Sequence, residues 1–169
     1  MRRVWMLVLA VGVLAAALSA AQGSAVTGPQ RFSLLEVSRN LEEPIGDFRF
    51  DRPPVGGDQF TFIDDLYRWS GTKRGRHVGH VRALATFVTG FGDTFSHKAT
   101  VFFSAQLYLP GGSLLLEGFG QASPNGPSRF VFPIVGGTGT YADARGTVAV
   151  RLLGDGNQGK SNVDVRLQG

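Results

Sequence analysis

Two adjacent carboxylates, Asp64 and Asp65, interrupt the hydrophobic run Gln59–Tyr67. Neighbouring residues of a strand face opposite sides, so one of the two points toward the apolar interior. A carboxyl there loses hydration, its pKa rises, and it can hold or deliver a proton near neutral pH. The alternative is that both stand at the end of the strand and cap the next loop. Glu36, Glu117, Tyr67 and Tyr108 also fall in strand-type runs, where they read as rim or surface residues. His77 and His80 are three apart on such a run, which puts them on opposite faces and keeps them from sharing a metal; His97 stands at a strand start. No metal and no cofactor is expected. Lys73, Arg74 and Arg76 form a small basic cluster that reads as a solvated hairpin tip, or else as contact points for an anion. The stretch Gly154–Ser161 satisfies G-x-x-x-x-G-K-[ST], the pattern of a phosphate-cradling loop. That chemistry needs a helix after the Ser, with its N-terminus toward the phosphates. Here Val163, Val165 and Leu167 alternate with polar residues to the chain end, so the stretch reads as a glycine-rich hairpin loop before a strand. No G-x-S-x-G elbow occurs, and the absence of cysteine excludes thiolate metal sites, disulfide scaffolds and Cys nucleophiles.

These residues must be positioned by short strands. The chain has 169 residues, 24 of them Gly and 13 Phe, with 18% charged and 43% hydrophobic residues. Glycine is thus about twice its usual ~7%. Turn-forming clusters at 70–76, 90–96, 110–112, 123–128, 136–143 and 154–160 separate strand-type runs at about 58–69, 77–89, 97–109, 113–122, 129–135, 144–153 and 161–168. An eighth run, Phe32–Arg39, precedes a Pro/Gly-rich connection over 40–57 that reads mostly as loop. Ala99, Val101, Phe103, Ala105, Leu107 and Leu109 share one face, while Thr100, Phe102, Ser104, Gln106 and Tyr108 share the other. No sustained helical periodicity occurs. Eight antiparallel strands must close their edges, which predicts an all-β fold: an eight-stranded antiparallel β-barrel with a central cavity.

The first residues read as a secretory signal. Arg2 and Arg3 precede the uncharged run Val4–Leu18, and small residues follow through Ala25. The run is short of the ~20 residues that span a bilayer. The expected organisation is a signal peptide at 1–25, an N-terminal strand and connection at 26–57, and the barrel proper at 58–169, the last two forming one domain. Loss of two arginines with the leader takes the net charge from +4 to +2, too mild to imply nucleic acid. The expected location is outside the cell, with no stable membrane anchor.

The segment Phe132–Gly146, running Val135-Gly136-Gly137-Thr138-Gly139 through Tyr141 to Ala144-Arg145-Gly146, resembles the hallmark of dirigent proteins and their relatives in the allene oxide cyclase-like barrel superfamily. Phe62–Leu66, His77–Gly79 with Phe87–Val88, and Ser113–Gly118 are similar to further family segments in the same order. The likeness spans about 58–168. It implies an eight-stranded barrel, a homotrimer or homodimer, and chemistry that shapes and protonates a reactive intermediate without redox. It makes Asp65, or Asp64, a lumen acid and Arg145 a cation that orients the ligand. Thr140 stands where some dirigent proteins carry Asp. Tyr67 and Tyr108 are then wall contacts. The expected function is binding a small hydrophobic or phenolic metabolite and guiding its cyclisation or stereoselective coupling, as an isomerase or cyclase if an enzyme. A lipocalin-like carrier and a structural module are the alternatives.

Overall fold

The computed structural model describes residues 28–92, 97–123, 129–153 and 159–168. The leader at 1–25 and the tip of the glycine-rich loop, 154–158, lie outside the described residues. The elements are β1 (Gln30–Ser38), β2 (Glu43–Ile45), β3 (Gln59–Trp69), β4 (Arg74–Phe87), β5 (Ala99–Leu109), β6 (Gly112–Ala122), β7 (Arg129–Gly139), β8 (Arg145–Leu152) and β9 (Lys160–Gln168). All pairings are antiparallel, in the order β1-β9-β8-β7-β6-β5-β4-β3-β2. A further pairing of β1 with β3 closes eight of these strands into a barrel. Closure is what satisfies the backbone of the two strands that would otherwise be edges.

The connection expected to be loop contributes one short strand, β2. It pairs with Gln59–Thr61 of β3, directly beyond the stretch of β3 that β1 covers. β1 and β2 together therefore make one wall strand, broken at Arg39–Glu42, where Asn40 takes a positive φ of 54°. After β2 the chain packs Phe48 against Phe60 and Phe87. Arg52 then grips the buried Asp58 through two hydrogen bonds of 2.6 and 2.9 Å.

Alternation decides what fills the lumen. Leu34, Leu66, Val81, Leu107, Leu114, Leu116, Ile134, Val148, Val163 and Val165 all point inward and are buried. Each such side chain contributes about 1.5–3 kcal/mol relative to exposure. Among them, Leu66 pairs in register with Glu36, and Leu114 with Leu107. Toward the upper end, which carries the β4–β5, β6–β7 and β8–β9 connections, the inward residues change character. Phe103, Phe130 and Phe132 form a ring cluster with centroids 5.3–6.0 Å apart. Gly120 makes room for it: a Cβ there would come within 2.1 Å of the Phe130 ring. Ser38, Glu36, Phe62, Phe103, Val150 and Leu152 face inward yet keep accessible surface. The barrel is thus sealed by aliphatic packing below and retains accessible wall above. An eight-stranded barrel is just wide enough for either arrangement.

Candidate functional site

The barrel wall assigns the two aspartates. Asp64 shares the face of Phe60, Phe62 and Leu66, is buried, and pairs across the seam with Ser38 of β1. Asp65 faces outward, in an ion pair with Arg39 and 3.1 Å from His77 Nε2. Those partners, Arg39 first, hold the Asp65 carboxyl below its ordinary range. The lumen carboxylate is therefore Asp64, and Asp65 is an outer-face residue.

Glu36, expected at the rim or surface, is a second inward-facing carboxyl. Glu36 lies on the inward face of β1 with Phe32 and Leu34, in register with Leu66 of β3 and Ser161 of β9. Burial first, then repulsion from Asp64, pushes its pKa from 4.5 up to about 7. Ser161 hydrogen-bonds Glu36 and pulls the other way. Asp64 is also raised, chiefly by burial, with Glu42 adding repulsion. The backbone N–H of Arg39 donates to Asp64 Oδ1 at 3.3 Å and opposes the rise. Glu36 pairs with Leu66 and Asp64 with Ser38, so the two carboxyls are diagonal neighbours on the inward face, and their interaction raises Glu36 while opposing the rise of Asp64. Two carboxyls in one desolvated site cannot both ionise freely, and their protons come off as those of a pair.

The pair sits where β1, β3 and β9 meet, and the strand order puts β6 across the barrel from β1. It therefore faces the Phe103, Phe130 and Phe132 cluster of β5 and β7. A proton-holding pair opposite an aromatic wall can position an apolar molecule and move a proton to or from one of its oxygens or carbons.

The other expected site residues lie elsewhere. Tyr67 and Tyr108 are on the outer face. The Arg74 guanidinium lies 4.8 Å above the Tyr67 ring, and His80 stacks on Tyr108 with centroids 4.6 Å apart. Arg145 opens β8 opposite Gln168, exposed, at the lower end. The far end of β8, Leu152, is the residue level with Ser161. At about 3.3 Å per residue, that puts Arg145 roughly 23 Å along the strand from the acid pair. Thr140 lies in the same lower turn, its N–H bonded to the Gly111 carbonyl. Apart from Phe132, which belongs to the aromatic wall, the hallmark segment through Gly146 builds the lower part of β7, a lower turn and the start of β8, away from the carboxyls. His77 and His80, expected on opposite faces, both point outward. The ladder slips at Leu66/Tyr67, where His77 pairs with Tyr67 and Gly79 with Leu66, leaving Val78 as an extra residue that inverts the alternation. Gly79 takes φ 156° at this bulge, where a Cβ would meet the Tyr108 carbonyl oxygen at 1.8 Å.

Glu36 was detectable in the sequence. In Phe32-Ser33-Leu34-Leu35-Glu36 it falls two residues beyond Leu34 and four beyond Phe32. The same counting from Phe60 and Phe62 selects Asp64 over Asp65.

No protein-family model matches the chain, and no curated protein matches it in sequence. Solved structures share its fold. A pyocyanin demethylase superposes with a TM-score of 0.60 at 18% identity, over 82% of this chain and 100% of the other. An exo-specific intermolecular Diels–Alderase gives 0.57 at 16%, over 85% and 100%. A pterocarpan synthase dirigent protein gives 0.57 at 14%, over 82% and 86%. What the chain shares with these proteins is the fold, a closed eight-stranded antiparallel barrel.

Proposed function

We propose that this protein is a secreted barrel that binds a small hydrophobic or phenolic metabolite in its upper lumen and guides its cyclisation or stereoselective coupling, with Glu36 and Asp64 as the acid–base pair. The observation that carries this reading is the pair itself: two carboxyls side by side on the inward face of a closed barrel, one raised to about 7 chiefly by burial, across from phenylalanine rings. With a pKa of about 7, Glu36 is partly protonated at neutral pH and can give its proton to a ligand oxygen, while an ionised carboxylate beside it can accept one. A proton given at one atom and recovered at another leaves the molecule isomerised, with no oxidant or reductant consumed. The wall contributes orientation and the exclusion of water. The fold shared with a Diels–Alderase and a dirigent protein supports a barrel of this kind. Arg2 and Arg3, the apolar run and the small residues after it support secretion. Exposed Phe119, Val131 and Val135, with Phe102 packed on Phe119, give the outer face of β5–β7 an apolar character that supports a homotrimer or homodimer.

The test begins with mass spectrometry of small molecules extracted from the protein purified from its native secreted fraction. The compound recovered, or its precursor, is then incubated with wild type, Glu36→Gln, Asp64→Asn and Asp65→Asn. Conversion lost in the first two variants and retained in Asp65→Asn is the expected pattern. Stoichiometric binding with no conversion by the wild type would make the protein a carrier.

A further inference from the structure

The charge of the lumen is one-sided. Among the described residues, Glu36 and Asp64 are the ionisable side chains that face inward in its upper half, and no Lys, Arg or His joins them there. Arg39 reaches Asp64 only through its backbone N–H, and its guanidinium turns outward to Asp65. Arg68 follows Leu66 on the inward face of β3 but stands exposed at the lower end, over the Phe32 ring. The buried Leu34 and Leu66 separate it from the pair. The segment from Asn40 to Asp58 covers part of the upper end through Phe48 and carries Glu42, Glu43, Asp47, Asp51 and Asp58 against Arg49 and Arg52. This acidic stretch stands out in a chain whose net charge is +4. Across from the pair, the faces of Phe103, Phe130 and Phe132 carry the negative side of the ring quadrupole.

We infer that the lumen selects uncharged or cationic aromatic molecules and excludes those bearing a carboxylate or sulfonate. This rests on the reading of the lumen as the ligand site and names the charge class it takes. An anion entering would lose its hydration beside at least one fixed negative charge, with no cation to replace the water. A neutral phenol or amine instead finds a carboxylate to donate to and a protonated carboxyl to accept from. The groups facing Glu36 are Ser38 on its own strand, Asp64 on β3 and Ser161 on β9, with Glu42 nearby on the connection; none is cationic. The pair carries one negative charge while one of its carboxyls is protonated and two once that proton leaves, so exclusion sharpens as pH rises.

Two fluorescent probes with one skeleton separate charge from shape: uncharged N-phenyl-1-naphthylamine and its 8-sulfonate, 1-anilinonaphthalene-8-sulfonate. Competition is read at pH 8 on the full secreted chain and on Glu36→Gln/Asp64→Asn, a double variant that preserves side-chain shape. The expected result is saturable binding of the uncharged probe to both proteins. The sulfonate should displace it at least tenfold less effectively from wild type than from the double variant. Sulfonate bound at the outer arginines does not displace the uncharged probe and is not scored. Equal displacement from both proteins would overturn the charge selection and leave the ligand site standing. Failure of the uncharged probe to bind either protein would overturn the ligand site itself, and the selection with it.

Discussion

Glu36→Gln tests the lumen pair through stability alone, with no substrate needed. The folded-state pKa of Glu36 is raised from 4.5 to about 7. Between those values the folded chain keeps a proton that the unfolded chain has released. Stability is therefore fully present below pH 4.5 and is lost as pH rises toward 7 and beyond. At 1.36 kcal/mol per pH unit, the loss amounts to about 3 kcal/mol. Gln has the same shape, cannot ionise, and its amide can still donate to Asp64. The variant should therefore escape the loss. His80 works in the opposite direction, because burial and the Arg82 charge lower its pKa. It is common to both proteins and cancels in their difference. Urea denaturation at pH 4.5, 6, 7 and 8 measures that difference. The expected outcome is a variant that gains on wild type with rising pH, by about 3 kcal/mol at pH 8, or a midpoint shift of roughly 1–3 M at the usual urea slope. Parallel pH curves for the two proteins would refute a desolvated Glu36, and with it the proton-holding pair.

Three other perturbations address the frame around the site. Leu114→Ala should cost about 2–5 kcal/mol by chemical denaturation and Leu115→Ala less than half as much, because Leu114 is fully buried in the lumen and its neighbour faces outward; equal costs would mean that the inward face has been misassigned. Gly120→Ala should lower stability by about 1–3 kcal/mol in a thermal melt, since the added methyl overlaps the Phe130 ring, and the double variant Gly120→Ala/Phe130→Leu should recover part of the loss. Arg52→Ala leaves Asp58 buried without its bidentate partner and should cost about 2 kcal/mol. It should also speed amide exchange across 47–57; unchanged exchange there would show that Phe48 and the backbone bonds of Pro54 and Gly57 to Phe91 and Phe87 hold the segment without the Arg52–Asp58 pair.

The amino-acid pattern by itself determined the architecture. Strict alternation in Ala99–Leu109 and Lys160–Gln168, glycine-rich turns at regular spacing and the lack of helical periodicity leave few ways to bury one face of eight strands, because period-2 patterning is local and survives in any sheet. It also determined that one of Asp64 and Asp65 points inward, since neighbours on a strand must diverge. What it left open were quantities that depend on which strands meet. The barrel closes by pairing β1 with β3, two strands separated by the whole connection, and only that contact brings Glu36 beside Asp64. Burial in the closed barrel does most to raise Glu36 toward neutral pH, and the charge of Asp64 beside it adds to the rise. The histidines illustrate the same limit at shorter range, because one bulge residue, Val78, reverses the face of everything before it. Tyr67, Tyr108 and Arg145 carried the right chemistry for a ligand wall. Their placement on the outer face and at the lower end was set by register and by strand stagger, which arise only when the strands close into a ring.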